Sequence, residues 1–211
     1  MQLKYSISNL FLIIFVFLPF GSCKQANSKE KLTIENLKNA YRNEIYASAQ
    51  YAAFAEKARD DKYIQIKNLF NAVSKSESIH ARNHKEVLDR LGIKVSEFKP
   101  DFELRTTIEN LQISIEGETR ESTEIYIDYI AIADKEGVQD AKKSFEWAKD
   151  AEMKHSGYYT ASLAAISNNR INSLPDSFLV CPECGQTFEI RQVEDKCSSC
   201  RTPRVNFITF P

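Results

Sequence analysis

The sequence predicts a mainly α-helical protein, a four-helix bundle followed by a small metal-binding β module. Three observations predict it. Four long stretches carry apolar residues at helical spacing. Each of those apolar faces is interrupted near its middle by a carboxylate or an imidazole. Four of the five cysteines are gathered between Cys181 and Cys200 as two Cys-x-x-Cys pairs. A chain of 211 residues suffices for one ordinary domain and a small one. Lys and Arg number 28 against 29 Asp and Glu, a near balance that implies no nucleic-acid partner.

The N-terminus reads as an export signal. Lys4 gives a weakly positive start, Leu10 to Leu18 is apolar, and Gly21 and Ser22 directly precede Cys23. A permanent span needs roughly 20 apolar residues, so this shorter run reads as a signal-peptide core. Residues 1–22 are expected to be a lipoprotein-type signal peptide, with Cys23 the lipidated first residue of the mature chain and 23–32 a tether. Phe20 departs from the aliphatic residue usual in such a cleavage box. The expected location is a bacterial membrane, facing the periplasm or the cell exterior.

The first helix is expected over about Thr33 to Arg59, with Thr33 as N-cap. Its stripe is Leu37, Tyr41, Glu44, Ser48, Tyr51 and Ala55. The second runs from about Tyr63 to Leu91 and stops at Gly92, with Ile66, Phe70, Val73, Glu77, His80, His84, Val87 and Leu91 on one face. Residues 92–105, with Pro100, carry no helical period and read as a connection. The third helix is expected from about Thr106 to Lys135, closed by Gly137, with Leu111, Ile115, Glu118, Ser122, Ile125, Tyr129 and Ile132 inward. The fourth spans about Gln139 to Ile166, with Ala141, Phe145, Ala148, Glu152, His155, Tyr159, Ser162 and Ile166 inward.

A buried ionised carboxylate is costly unless a cation or a strong partner compensates it. Glu-x-x-His on an inward helical face is a metal-ligand pair, and it occurs twice, as Glu77/His80 and Glu152/His155. Glu44 and Glu118 each supply one further inward carboxylate, and Glu121 follows one turn later. The spacing repeats: 33 residues separate Glu44 from Glu77, and 34 separate Glu118 from Glu152. Two such hairpins joined by a longer crossover make a ferritin-like bundle with the ligand set of a di-iron carboxylate centre. Five carboxylates against two divalent or two trivalent ions leave one unit of charge. Oxygen-rich ligation with two imidazoles suits iron or manganese better than copper, with zinc a competitor.

After the polar linker 168–177 the character changes. Cys181, Cys184, Cys197 and Cys200 form two knuckles with 12 residues between the inner cysteines, a four-thiolate site. Phe178 with Val180, and Phe188 with Ile190, suggest short strands. So short a module buries little core, so its metal supplies much of its folding energy. Spacing alone leaves structural zinc and redox-active iron both open, and favours zinc.

The two modules together resemble rubrerythrin: Glu, Glu-x-x-His, Glu-x-x-Glu and Glu-x-x-His in order, then a pair of Cys-x-x-Cys knuckles, over about residues 33–210. The resemblance implies a ferritin-like di-iron domain (33–167) joined to a rubredoxin-like domain (178–211) holding one iron. It carries the di-iron ligands onto Glu44, Glu77, His80, Glu118, Glu121, Glu152 and His155, and places Tyr51 and Tyr126 beside the site. It implies a peroxide reductase with electrons from the four-cysteine iron, an unidentified electron donor, and a head-to-tail homodimer. Glu121 is the carboxylate expected to swing with oxidation state. His84 matches no family ligand and reads as packing or support, and Trp147 as core. Arg201 and Thr202 stand where a glycine commonly follows the second knuckle. The competing readings are a ferroxidase or iron-handling protein, and a non-catalytic zinc-ribbon adaptor.

Overall fold

The computed structural model describes residues 30–97 and 99–211. The expected signal peptide, Cys23 and most of the tether lie outside them. Among the described residues no helix is long and apolar enough to cross a membrane.

Helix α1 covers Glu30–Asp60 and α2 covers Ile64–Arg90. They pack as a hairpin along their length, joined by a short turn. Halfway along, Ser48 and Ser74 each donate a hydroxyl to the other's carbonyl, at 2.9 and 2.8 Å. Thr33 is not the N-cap expected. The helix starts before it, Thr33 is fully buried, and its amide donates to Glu136 Oε2 at 3.0 Å. One free amide in the first turn of α1 thus finds its acceptor on a distant carboxylate.

Helix α3, Thr107–Arg120, opens on a capping box between Thr106 and Glu109. It does not run on as a plain helix. Glu121–Ile125 form a π-turn before α4, Tyr126–Glu136. The turn inserts one residue into the helical period, so the inward positions move by one. Tyr126 and Ala133 are buried where Ile125, Tyr129 and Ile132 were expected, and those three are only partly buried. Gly137 adopts φ 75° and ends α4. Helix α5, Gln139–Ser167, returns along the bundle.

Two apolar clusters hold the bundle. One contains Tyr51, Phe54, Phe70 and Tyr159, and the other Leu37, Tyr41, Leu88, Tyr126 and Phe145. Along the chain, Glu44, Glu118 and Glu152 each fall between residues of these two clusters.

The small module is a three-stranded antiparallel sheet in the order β2-β1-β3: β1 is Phe178–Val180, β2 Thr187–Glu189 and β3 Ile208–Phe210. Strand β3 was not expected, although Ile208, Thr209 and Phe210 all favour extended backbone. β1 alternates as a two-sided strand should: Phe178 and Val180 join the bundle core, while Leu179 joins the cysteine cluster. The module therefore sits directly on α2 and α5.

Candidate metal centres

Six of the seven side chains expected to ligate in the bundle converge. Glu44, Glu77, His80 and Glu152 offer ligand atoms all within 4.8 Å of one another, and so do Glu77, Glu118, Glu152 and His155. All six residues are buried, none more than 2 % exposed. Glu77 and Glu152, the first members of the two Glu-x-x-His motifs, belong to both groups. Two ions would therefore share these two carboxylates, with Glu44 and His80 on one side and Glu118 and His155 on the other.

Both imidazoles point Nδ1 at the carboxylates. His80 Nδ1 lies 2.8 Å from Glu77 Oε2 and 3.2 Å from Glu152 Oε1. His155 Nδ1 lies 2.8 Å from Glu152 Oε2 and 3.1 Å from Glu77 Oε1. Glu77 Oε1, Glu118 Oε2 and Glu152 Oε1 are buried without a hydrogen-bond partner. Buried oxygens of this kind need a compensating cation, so the donor set fits a pair of metal ions.

The electrostatics agree. Burial, then repulsion from Glu152 and Glu77, pushes the Glu44 carboxyl well above its ordinary range. Burial and the charges of Glu77 and Glu118 do the same to Glu152. Burial opposes ionisation of Glu77 too, but His155 and His80 prevail and hold it at about 2. Burial works against the charged imidazoles, yet the surrounding carboxylates raise both His80 and His155. Without divalent charge the cage must keep protons; two such ions would balance its four carboxylates.

Glu121 stays outside both groups, as a carboxylate that swings onto the site only when the oxidation state changes would. It lines a cleft of about 240 Å³ between α1 and α3, with Tyr46, Gln50, Tyr51 and Gly117. Burial, then Glu118 and Glu77, pushes its carboxyl up to about 8.

The two tyrosines brace the carboxylates that are not shared. Tyr51 donates its hydroxyl to Glu118 Oε1 at 2.5 Å, and Tyr126 donates to Glu44 Oε1. Behind Tyr126 stands His84, fully buried, with Nε2 3.2 Å from the tyrosine hydroxyl and Nδ1 2.8 Å from Ser144 Oγ. Burial, then His80, lowers the His84 pKa to about 3, so it is a neutral support. Ser144 was not foreseen, since a serine on a helix carries no signal of the group it faces.

The four cysteines also converge within 4.8 Å, with Cys200 partly exposed. Hydrogen bonds from Cys181 and Cys184 hold Cys197 at about 3, while those with Cys181 and Cys197 raise Cys184. Four thiols so close, sharing protons, fit one tetrahedral ion bound by thiolates. The knuckles repeat one pattern: Gly185 N donates to Cys181 O and Arg201 N to Cys197 O, both at 3.0 Å. Arg201 takes φ 67°, the conformation Gly185 has at φ 80°. Thr202 Oγ1 lies 3.1 Å from Cys200 Sγ, a sulfur contact that tunes such a site. Trp147 is not bundle core: it is partly buried and packs against the cysteine cluster, with Lys143 Nζ 4.5 Å above its ring.

The family model for rubrerythrin matches residues 35–163. Nigerythrin from Nitratidesulfovibrio vulgaris is 33% identical over 189 residues, 84% of this chain and 86% of that protein. A putative rubrerythrin from Methanocaldococcus jannaschii is 31% identical over 192 residues, 86% of this chain and 93% of that protein. The solved structure of fully reduced, all-ferrous nigerythrin superposes with a TM-score of 0.76 at 31% identity, covering 84% of this chain and 86% of that one. With the clustered ligands in both modules, these likenesses show that the chain belongs to the rubrerythrin family.

Proposed function

We propose that the chain is a non-haem di-iron oxidoreductase that reduces hydrogen peroxide to water. The observation that carries this reading is the shared-carboxylate pair of ligand groups lying under a four-cysteine site in one chain. Nigerythrin is known in all-ferrous, mixed-valent and partially reduced states, which supports a redox role for the family's bundle.

Ions held by Glu44, Glu77, His80, Glu118, Glu152 and His155 would supply Lewis acidity and two electrons, and an iron held by Cys181, Cys184, Cys197 and Cys200 would supply one-electron redox chemistry. The chain's own residues do the rest. Reducing one peroxide to two waters consumes two electrons and two protons. Glu121 lines the cleft where a small substrate would enter, and its carboxylate is placed there to exchange a proton with that substrate. Tyr51 and Tyr126 fix Glu118 and Glu44, so that the cage keeps its shape while charge changes inside it. Burial of all six ligands excludes bulk water.

The N-terminal sequence supports an exported, lipid-anchored chain whose electron donor lies on the same side of the membrane, and the resemblance supports a homodimer. The deciding experiment mixes the anaerobically reduced protein with peroxide and with dioxygen separately. Faster reoxidation by peroxide is expected. Equal rates would defeat this reading, and many ferrous ions consumed and retained per site would favour iron-handling chemistry instead.

A further inference from the structure

The first cysteine knuckle touches both metal-facing histidines on their outer sides. Thr187 Oγ1 lies 3.0 Å from His155 Nε2, and both residues are fully buried. Two residues earlier, Gly185 faces His80. A Cβ there would fall 2.4 Å from His80 Nε2 and 2.6 Å from its Cδ2, so only glycine permits the approach. The loop is pinned to α2 at several points. Ser76 donates its hydroxyl to Gly185 O, Asn83 donates to Glu183 O at 2.9 Å, and Arg82 donates to Pro182 O at 2.9 Å.

We propose that the loop Cys184–Thr187 belongs to both metal centres, with Thr187 and Gly185 as positioning residues for His155 and His80. An imidazole that binds metal through Nδ1 carries its proton on Nε2 and is oriented by whatever accepts that proton. At His155 the acceptor is the Thr187 hydroxyl. At His80 the outer nitrogen has no hydrogen-bond partner, and the ring is held by the backbone packed against it. The loop's own shape depends on the cysteine site, because Cys181 N donates to Gln186 O and Gly185 N to Cys181 O, each at 3.0 Å. Metal at the four cysteines therefore sets the hydroxyl that sets the histidine. Filling one centre strengthens binding at the other, and the dependence is reciprocal.

The inference rests on the histidines being ligands and is independent of peroxide as substrate. Its test is titration of the reduced, metal-free full chain with cobalt(II), whose thiolate and carboxylate–imidazole spectra are distinct. Thr187→Val is expected to leave the thiolate spectrum intact and weaken cobalt binding in the bundle by roughly 10–100-fold. Thr187→Ser should restore it, and Cys197→Ser should weaken the bundle as Thr187→Val does. Wild-type affinity in Thr187→Val, or no rescue by Thr187→Ser, would overturn the shared loop while leaving the metal centre intact. A wild-type bundle that takes up no cobalt would overturn both. Should the valine variant fail to fold, proton exchange at His155 Nε2 in the zinc-loaded wild type decides: slow exchange is expected, and fast exchange refutes the contact.

Discussion

The two hairpins supply equivalent ligands but support them differently. In the first, Glu44 is held by Tyr126, itself backed by His84 and Ser144, while His80 presses its outer nitrogen against bare backbone. In the second, Glu118 is held by Tyr51 alone, while His155 has a hydroxyl partner in Thr187. The carboxylate is the better supported group in one half, and the imidazole in the other. Near-symmetric ligation thus rests on asymmetric support, and two ions in this cage would not be equivalent.

Substitutions at the cage itself should break the comparison most. Glu77→Gln and Glu152→Gln each remove a carboxylate common to both groups, whereas Glu44→Gln and Glu118→Gln each touch one group. The shared-residue variants are expected to lose both bundle ions and the unshared ones a single ion, read as iron per chain after reconstitution.

The metal-free protein offers the next largest effect. Glu44, Glu121 and Glu152 have raised carboxyl pKa values, and His80 and His155 raised imidazole values. A raised carboxyl is still neutral in the fold after the unfolded chain has ionised, so stability falls as pH rises above 4.5, and for Glu121 until about 8. A raised histidine stabilises fully below its unfolded value and loses that contribution as pH climbs through its folded one. Both slopes have the same sign. Stripped of metal, the chain should have a lower urea midpoint at about pH 8 than at about pH 5. Glu77, held at about 2, adds the opposite slope only in stronger acid.

The tyrosines sharpen the comparison. Leaving a buried acceptor unsatisfied costs about 1–3 kcal/mol. Tyr126→Phe strips a partner from both Glu44 and His84, and Tyr51→Phe from Glu118 only. Thermal unfolding should show the larger loss for Tyr126→Phe. The smallest effect lies in the knuckles, which repeat the theme. Gly185 is demanded by His80, but Arg201 takes its left-handed backbone in the open. Arg201→Gly should therefore be neutral or stabilising by up to about 1 kcal/mol, measured by the chelator concentration needed to unfold the module.

The residues facing metal were legible because helical periodicity puts a carboxylate where only a cation makes it tolerable. Glu44, Glu77, Glu118 and Glu152 stood out for that reason. Supports were not legible. Ser144, Thr187 and Gly185 are ordinary residues whose roles depend on which distant group the fold brings against them. Thr33 looked like a cap because its nearest signal was local, while its partner Glu136 lies 103 residues away. The π-turn carries no Pro or Gly to announce it, and it misphased the third stripe from Ile125 onward.

That wide turn decides where the rest of the helix points. A π-turn takes up one surplus residue, so Tyr126 and Ala133 stay inward instead of rotating off the core. Excising one residue from Glu121–Ile125 should leave both inward on an unbroken spiral that still closes on Gly137.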